Sequence, residues 1–103
     1  MAAESKGCTL LIGLQVSDAA GYRRYREAMT PILGRYGGHF GYDFVIAEVL
    51  RSAVEAPINR VFTLVFADEA ARQGFFADPA YLAVRAEHFE PSVEHVTKIA
   101  EYV

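Results

Sequence analysis

The stretch Cys8-Thr9-Leu10-Leu11-Ile12-Gly13-Leu14-Gln15-Val16 decides the fold class. Every even-numbered position in it is apolar, whereas the odd-numbered positions mix apolar and polar residues. Because side chains alternate between the two sides of a strand, this pattern is typical of a central strand with both faces partly covered. Residues 8–16 are therefore predicted to form β1.

A helix is predicted directly after β1, over residues 19–36. Asp18 supplies a side chain suited to the N-cap, and Gly37-Gly38 ends the helix because glycine accepts the positive φ of a C-cap. Pro31 lies inside the pattern and is expected to kink the helix or reset its first turn. Apolar and aromatic residues recur at three- and four-residue steps and define the buried face: Tyr22, Tyr25, Met29, Ile32, Leu33 and Tyr36.

The second half of the chain predicts two strands, a broken helix and a last strand. Residues 39–50 alternate as β2, with Phe40, Tyr42, Phe44 and Ile46 on one face and His39, Asp43, Val45 and Ala47 on the other. Asp78-Pro79 is a helix start signal, so the helical region is predicted in two pieces. The remaining predicted ranges are β3 over 60–67, the helix pieces over 68–77 and 79–89, and β4 over 93–103.

The order β-α-β-β-α-β predicts an α+β, ferredoxin-like fold. Right-handed crossovers place both helical regions on one face of a four-stranded antiparallel sheet. The other face stays uncovered, although β1 and β3 offer it Leu11, Val61 and Val65, or their opposite sets, rather than charges. A homodimer through that face is the expected solution. Residues 8–103 are predicted to form one domain, preceded by a disordered or extended N-terminus over residues 1–7.

Composition excludes several classes of partner. The formal net charge of -3 and the pI near 5.5 argue against nucleic-acid binding. The apolar stretch 8–14 is too short to span a membrane. The single cysteine, Cys8, forms no internal disulfide and fits a reducing, cytoplasmic location. The three histidines lack metal-ligand spacing, and nucleotide-binding motifs are absent from the sequence, so neither a metal nor a cofactor is predicted.

Several motifs together resemble the bacterial family called domain of unknown function 1330. The two most specific are the Tyr36-Gly37-Gly38-x-Phe40 junction and the later Asp78-Pro79-x-Tyr81 turn with Arg85. The resemblance covers nearly the whole chain, and its other parts are Tyr22-x-x-Tyr25, Pro31, Arg60 at the start of β3, Phe66 and Ala70-Ala71.

The resemblance implies a dimeric α/β barrel, in which the sheets of two ferredoxin-like protomers pack together. It implies no established reaction, although the superfamily includes monooxygenases and isomerases that work without a cofactor. The chain departs from the family pattern at Phe75-Phe76, where a tryptophan-containing pair is common, and it contains no tryptophan at all. A ligand contact that depends on indole is therefore not expected.

One candidate ligand site combines two regions of the chain. Tyr81, Arg85 and His88 share a helical face, and with Arg60 they are predicted to converge on an anionic ligand, because a guanidinium grips a carboxylate in a fixed plane. The structural alternative is that Arg85 pairs with a local acid such as Glu87 or Asp78.

The other candidates carry weaker signals. His39 stands at the mouth of β2, too far along an extended strand from Asp43 for a dyad unless a bulge intervenes. Tyr22 offers a ring and a hydroxyl to a pocket between helix and sheet, although core packing is the default interpretation of its helical spacing. The cluster Arg23-Arg24-Arg26 is interpreted as a solvated helix face.

Two functions remain open at this level. The first is binding or cofactor-free conversion of a small anionic or aromatic metabolite, which would need a cavity with convergent polar groups. The alternative is a non-catalytic dimeric module for binding or assembly. Residue pattern alone leaves open whether the protein is an enzyme.

Overall fold

The structure is a computed structural model, and it describes residues 7–103. The predicted N-terminal segment 1–7 lies, apart from Gly7, outside the described residues. The elements are β1 (Cys8–Val16), α1 (Ala19–Arg35), β2 (His39–Val45), β3 (Arg60–Phe66), α2 (Glu69–Ala77), α3 (Pro79–Val84), a π-helical turn (Arg85–Phe89) and β4 (Val93–Tyr102).

The four strands form one antiparallel sheet in the order β2-β3-β1-β4. This is the predicted ferredoxin-like, α+β arrangement, with β1 and β3 in the centre. The pairing Leu10↔Leu64 fixes the register of the central strands, so the buried residues of both point to the same side. Among the described helices, none is both long and apolar enough to cross a membrane.

The hydrophobic core lies between the helices and one face of the sheet. The strands contribute Cys8, Leu10, Leu14, Phe62, Leu64 and Phe66, and the helices contribute Tyr22, Tyr25, Met29, Ile32, Leu33, Phe75 and Tyr81. All of the predicted α1 face except Tyr36 is buried, which confirms the helical periodicity. The opposite side of the sheet, called here the open face, carries Leu11, Phe44, Val61, Val65 and Thr97.

A bulge in β2 overturns the predicted alternation of that strand. Phe40 pairs with Leu64, but the next regular pair is Asp43 with Phe62, so the partner strand advances by two residues while β2 advances by three. The extra residue shifts Asp43 onto the helix-covered side, whereas His39, opposite Val65, lies on the open face. The prediction that His39 and Asp43 share a face is therefore wrong.

β2 is also shorter than the predicted range of residues 39–50. It ends at Val45, which pairs with Arg60 at the start of β3, and one further backbone hydrogen bond joins the Ile46 N–H to the Asn59 carbonyl before the two segments separate. Residues 46–59 form a loop that folds over the open face. There the Ile58 side chain lies so close to Gly13 that a Cβ at Gly13 would stand 3.0 Å from Ile58 Cδ1.

Both ends of α1 follow the predicted cap chemistry. The Asp18 carboxylate accepts from the backbone N–H of Gly21, and Gly37 has a positive φ of 72°. Gly38 has no positive φ and is needed for space instead, since a Cβ there would meet Leu33. The helix continues through Pro31, which cannot donate the usual hydrogen bond to the carbonyl four residues earlier.

The second helical region is interrupted at Asp78, as predicted. The Asp78 carboxylate accepts from the backbone N–H groups of Ala80 and Tyr81, and it also accepts from the Tyr36 hydroxyl at 2.6 Å. One carboxylate therefore begins α3 and holds it against the end of α1. The final turn, Arg85–Phe89, is π-helical rather than a continuation of α3.

Candidate functional site

A polar cluster lies at the edge of the core where α1 crosses the ends of β2 and β3. Tyr22 and Arg26 stand four residues apart on α1 and so share one face of the helix. Arg26 Nη1 donates to the Tyr22 hydroxyl at 3.1 Å. The Arg26 guanidinium also stacks over the Phe40 ring, with its central carbon 3.5 Å from the ring centroid. Helical spacing and an aromatic platform thus fix the position of Arg26.

The sheet supplies the other half of the cluster. Arg60, at the start of β3, donates to both oxygens of Asp43 from Nε at 2.8 Å and from Nη2 at 2.9 Å. Arg26 Nη2 lies 3.0 Å from the same carboxylate. The Arg60 guanidinium also stands over the Tyr22 ring, 5.0 Å from its centroid. Asp43 reaches these groups only because the β2 bulge turns it toward the helices.

This cluster borders a cleft of about 780 Å³, called here the arginine cleft. Its lining comes from one side of α1, the end of β2 and the start of β3: Ala19, Tyr22, Arg23, Arg26, Glu27, Thr30, Pro31, Val45 and Arg60. The volume is in the range of small-molecule sites. Three arginines against one glutamate make its wall positive, although the whole chain carries a net charge of -3.

The protonation states of the cluster follow from its contacts. The hydrogen bond from Arg60, together with the charge of Arg26, holds the pKa of Asp43 below its ordinary value. Pairing with Asp43 raises the pKa of Arg60 further. Burial raises the pKa of Tyr22 despite the opposing effect of Arg26. At neutral pH the cluster therefore holds two cations, one anion and a neutral phenol.

Two of the predicted site residues, Tyr22 and Arg60, meet in this cleft, while Tyr81 lies deeper in the core. The Tyr81 hydroxyl is 2.8 Å from the Tyr25 hydroxyl, and its ring is 4.3 Å from that of Phe75. Only 4% of Tyr81 is exposed, and its hydroxyl already forms a hydrogen bond with a residue of the core. Tyr25, which also packs against Tyr22, separates Tyr81 from the arginine cleft.

The remaining candidates lie outside the cleft lining. Arg85 is exposed on the π-helical turn, with its guanidinium carbon 5.6 Å from the Phe89 ring centroid. His88 is half-buried on the same turn, with its Nε2 3.8 Å from Glu87. His39 is exposed on the open face. The structure thus does not bring Arg85, His88 or His39 together with Arg60 in one cavity.

Sequence reasoning missed two members of the cluster, Arg26 and Asp43. Arg26 is wrongly interpreted as part of a solvated cluster, since its side chain is only 18% exposed. Its spacing of four from Tyr22 is the signal that could have placed it on the buried side of α1. For Asp43 the signal is Gly41, because a glycine inside a strand pattern often marks a bulge.

A second polar group surrounds Cys8. Ligand atoms of Cys8, Glu69 and Glu101 lie within 4.8 Å of one another, a geometry that could hold a metal ion. Arg72 already occupies the centre of this group: its Nη1 donates to Cys8 Sγ at 3.5 Å and to Glu69 at 3.3 Å, and it also pairs with Glu101. A guanidinium thus balances the two carboxylates.

Another cavity, of about 710 Å³, lies between the loop 46–59 and the open face. Apolar side chains dominate its lining, which includes Ile46, Val49, Val54, Ile58, Val61 and Ile99. It offers few convergent polar groups, unlike the arginine cleft. Most of its lining belongs to the loop 46–59, and Val61, Thr97 and Ile99 contribute the side of the sheet that is predicted to meet a second copy.

The fold and the cleft define the chain as a small ferredoxin-like α+β protein with a polar cleft between helix and sheet. It belongs to the family described as domain of unknown function (DUF1330), which matches residues 10–101. The resemblance inferred from the Tyr-Gly-Gly-x-Phe and Asp-Pro-x-Tyr motifs is therefore confirmed. No protein of curated function matches the chain.

Solved structures share the fold at low sequence identity. A protein of unknown function from Rhodopseudomonas palustris is 18% identical with a TM-score of 0.80, covering 95% of this chain and 82% of that one. SnoaB, a cofactor-independent oxygenase from Streptomyces nogalater, is 15% identical with a TM-score of 0.64, covering 96% and 93%. A dimeric protein of unknown function from Bacteroides fragilis, with a ferredoxin-like fold, is 11% identical with a TM-score of 0.59, covering 97% and 98%. These likenesses concern the fold alone.

Proposed function

We propose that this protein binds a small aromatic carboxylate in the arginine cleft and works as a homodimer without a cofactor. The observation that carries the proposal is the convergence of Arg26 and Arg60 beside Tyr22 in a cleft large enough for a metabolite. Guanidinium groups bind carboxylates through paired hydrogen bonds and keep their charge at any physiological pH. Val45 and Pro31 add apolar surface for the body of the ligand.

The test uses benzoate as the probe and thermal unfolding as the measurement. Wild-type protein is expected to melt at a higher temperature with millimolar benzoate, because a ligand that binds only the folded state stabilises it. Arg60→Gln should abolish this shift. Arg26→Lys should reduce it, because lysine lacks the planar guanidinium that forms paired hydrogen bonds. Arg24→Gln, on the exposed side of α1, is the matched control and should keep the full shift.

Arg85→Ala distinguishes the cleft from the other predicted arginine position. Arg85, with Tyr81 and His88 nearby in sequence, remains a candidate contact on the α3 side, although it lies outside the cleft lining. Loss of the benzoate shift in Arg85→Ala but not in Arg60→Gln would contradict the arginine cleft as the site. A wild-type protein with no shift for benzoate would contradict the binding proposal as a whole.

The homodimer is supported by the open face. Large apolar side chains are exposed on this face or on the loop above it, with Phe44 51%, Ile99 47% and Leu50 88% exposed. A chain of 11.4 kDa also buries a limited share of its own surface, which favours association. Light scattering should find about twice the mass of one chain, and a monomer at micromolar concentration would contradict the proposal.

A non-catalytic dimeric module is the second candidate. The observation that favours it is that Asp43 pairs with both Arg26 and Arg60, as expected of a purely structural ion-pair cluster. In that case no small carboxylate should shift the melting temperature, while the protein should still be a dimer. The benzoate measurement and the mass measurement together separate the two candidates. A single buried Cys8 is compatible with a reducing, cytoplasmic location for either.

A further inference from the structure

Asp43 leaves much of the hydrogen-bonding capacity of the arginine cleft unused. A guanidinium offers five N–H donors. Arg60 directs two of them at Asp43, and Arg26 directs one at Asp43 and one at Tyr22. Within residues 7–103, the other N–H groups of both guanidiniums have no protein acceptor. The two arginines can therefore bind an anion while they stay paired with Asp43.

Asp43 keeps an acceptor without a donor beside the cleft. It lies outside the cleft lining, but it pairs with Arg26 and Arg60 of that lining, and its side chain is 28% exposed. Oδ2 of Asp43 faces both arginines, whereas Oδ1 accepts only from Arg60 Nε among the described residues. One acceptor position on Oδ1 thus remains free.

The unused N–H donors of Arg26 and Arg60 and the free acceptor of Asp43 require different groups on a ligand. A plain carboxylate satisfies the arginines but meets the charge of Asp43, and like charges that share a site repel each other. A ligand hydroxyl that donates to Asp43 turns this contact into a hydrogen bond to a charged acceptor. The most complementary ligand therefore carries both an anionic group and a hydroxyl donor.

We propose that the arginine cleft is selective for hydroxycarboxylates and that Asp43 is the residue that determines this selectivity. The inference rests on the proposed function, since it names the ligand class of the same site. The carboxylate of the ligand binds the unused donors of Arg26 and Arg60, and its hydroxyl donates to Asp43. No bond is made or broken in this step.

The experiment compares three probes of the same ring and charge by isothermal titration calorimetry. 3-Hydroxybenzoate has a hydroxyl that cannot reach its own carboxylate, benzoate has none, and 3-methoxybenzoate keeps the oxygen without the proton. A hydrogen bond to a charged group predicts that 3-hydroxybenzoate binds wild-type protein about tenfold to a hundredfold more tightly than benzoate. 3-Methoxybenzoate should bind no better than benzoate.

Variants then assign the preference to Asp43. Asp43→Asn removes the repulsion, so benzoate should bind more tightly and the preference for 3-hydroxybenzoate should shrink at least fivefold. Glu94→Gln, an exposed acid on β4, is the matched control and should keep the wild-type ratio. If Asp43→Asn does not fold, the methoxy comparison on wild-type protein still decides whether a donated proton is recognised.

The possible failures are distinct. If neither benzoate nor 3-hydroxybenzoate binds, the proposed function fails and the selectivity fails with it. If both bind with equal affinity, the selectivity for hydroxycarboxylates is wrong while the carboxylate site stands. If Asp43→Asn keeps the wild-type ratio, another group recognises the hydroxyl and the role of Asp43 is wrong.

Discussion

The two faces of the sheet use alternate residues of the same strands but differ in what covers them. On β3, Phe62, Leu64 and Phe66 are at most 6% exposed beneath the helices, while Val61 and Val65, which point to the other side, stay half-buried. The helix-covered face is completed within the chain, so its packing determines the stability of the protomer. The open face mixes apolar residues such as Leu11 and Val65 with polar ones such as Thr63, and among the described residues the loop 46–59 covers part of it. The fully apolar face is thus the one that the chain buries by itself, and the mixed face keeps apolar side chains exposed.

The largest effect is expected from a cavity on the helix-covered face. Phe66→Ala removes a ring that is 1% exposed and packs against Phe75 and Phe76. The expected loss in the free energy of unfolding is about 3–5 kcal/mol, because both burial and packing are lost. Val65→Ala, one residue away on the open face, should cost about 1 kcal/mol or less. Urea unfolding at one protein concentration measures both, and equal losses would show that the open face is equally buried in solution.

The open face can be tested by placing a charge on it. Phe44→Glu puts a carboxylate beside Val61 and should weaken the homodimer at least tenfold, because burying an unpaired charge is costly. Leu82→Glu is a matched control on α3, since Leu82 is 45% exposed and Phe44 is 51% exposed. Mass by light scattering over a dilution series should fall to that of one chain only for Phe44→Glu. A similar fall for Leu82→Glu would place the interface on the helices instead.

At the end of α1, Gly37 and Gly38 are needed for different reasons, Gly37 for its backbone conformation and Gly38 for lack of space. Gly37→Ala should cost about 1–2 kcal/mol of unfolding free energy, since its φ of 72° is strained for any residue with a Cβ. Gly38→Ala should cost about 1–3 kcal/mol for a different reason, because its Cβ would overlap Leu33 and press on Phe66. Gly34→Ala has open space inside the helix and should be neutral or stabilising. An unchanged free energy of unfolding in Gly38→Ala would show that the surrounding core side chains move to make room for the Cβ.

The smallest effect concerns the partly exposed ion pairs of Asp43. Its pKa is lowered in the folded state, so its contribution to stability is present above the unfolded value near pH 3.9 and is lost as pH falls through the folded value. Asp43→Asn should therefore lose about 1 kcal/mol or less at pH 7 and show a weaker decline between about pH 5 and 3 than wild type. Urea midpoints at several pH values measure this decline. An unchanged decline would show that other carboxylates, such as Asp78, dominate it.

Much of the fold was predictable because it depends on local pattern. The apolar even positions of residues 8–16, the Asp18 cap and the Asp78-Pro79 break each indicate their element through interactions within a few residues. The end of β2 was not predictable in the same way. Residues 46–50 look like a strand, but a strand needs a neighbour, and the point at which β3 begins decides where that neighbour stops.

The candidate site was predicted only in part, for a related reason. Arg60 and Tyr22 are recognisable as an arginine at a strand mouth and a tyrosine on a buried helix face. Their partners, Arg26 and Asp43, depend on the angle at which α1 crosses the sheet and on one extra residue in β2. Arg85 shares a helical face with Tyr81, yet Tyr81 turns into the core and Arg85 stays at the surface.

The amino-acid sequence by itself determined the class of fold, the order of elements and which face of β1 is fully apolar. These properties follow from side-chain alternation, helical periodicity and caps, which act over a few residues. Only the tertiary structure decided which charges meet, because Arg26, Asp43 and Arg60 come from three elements that are brought together by packing. A shift of one residue in strand register turns a side chain to the other face, so contacts across the sheet depend on the whole fold.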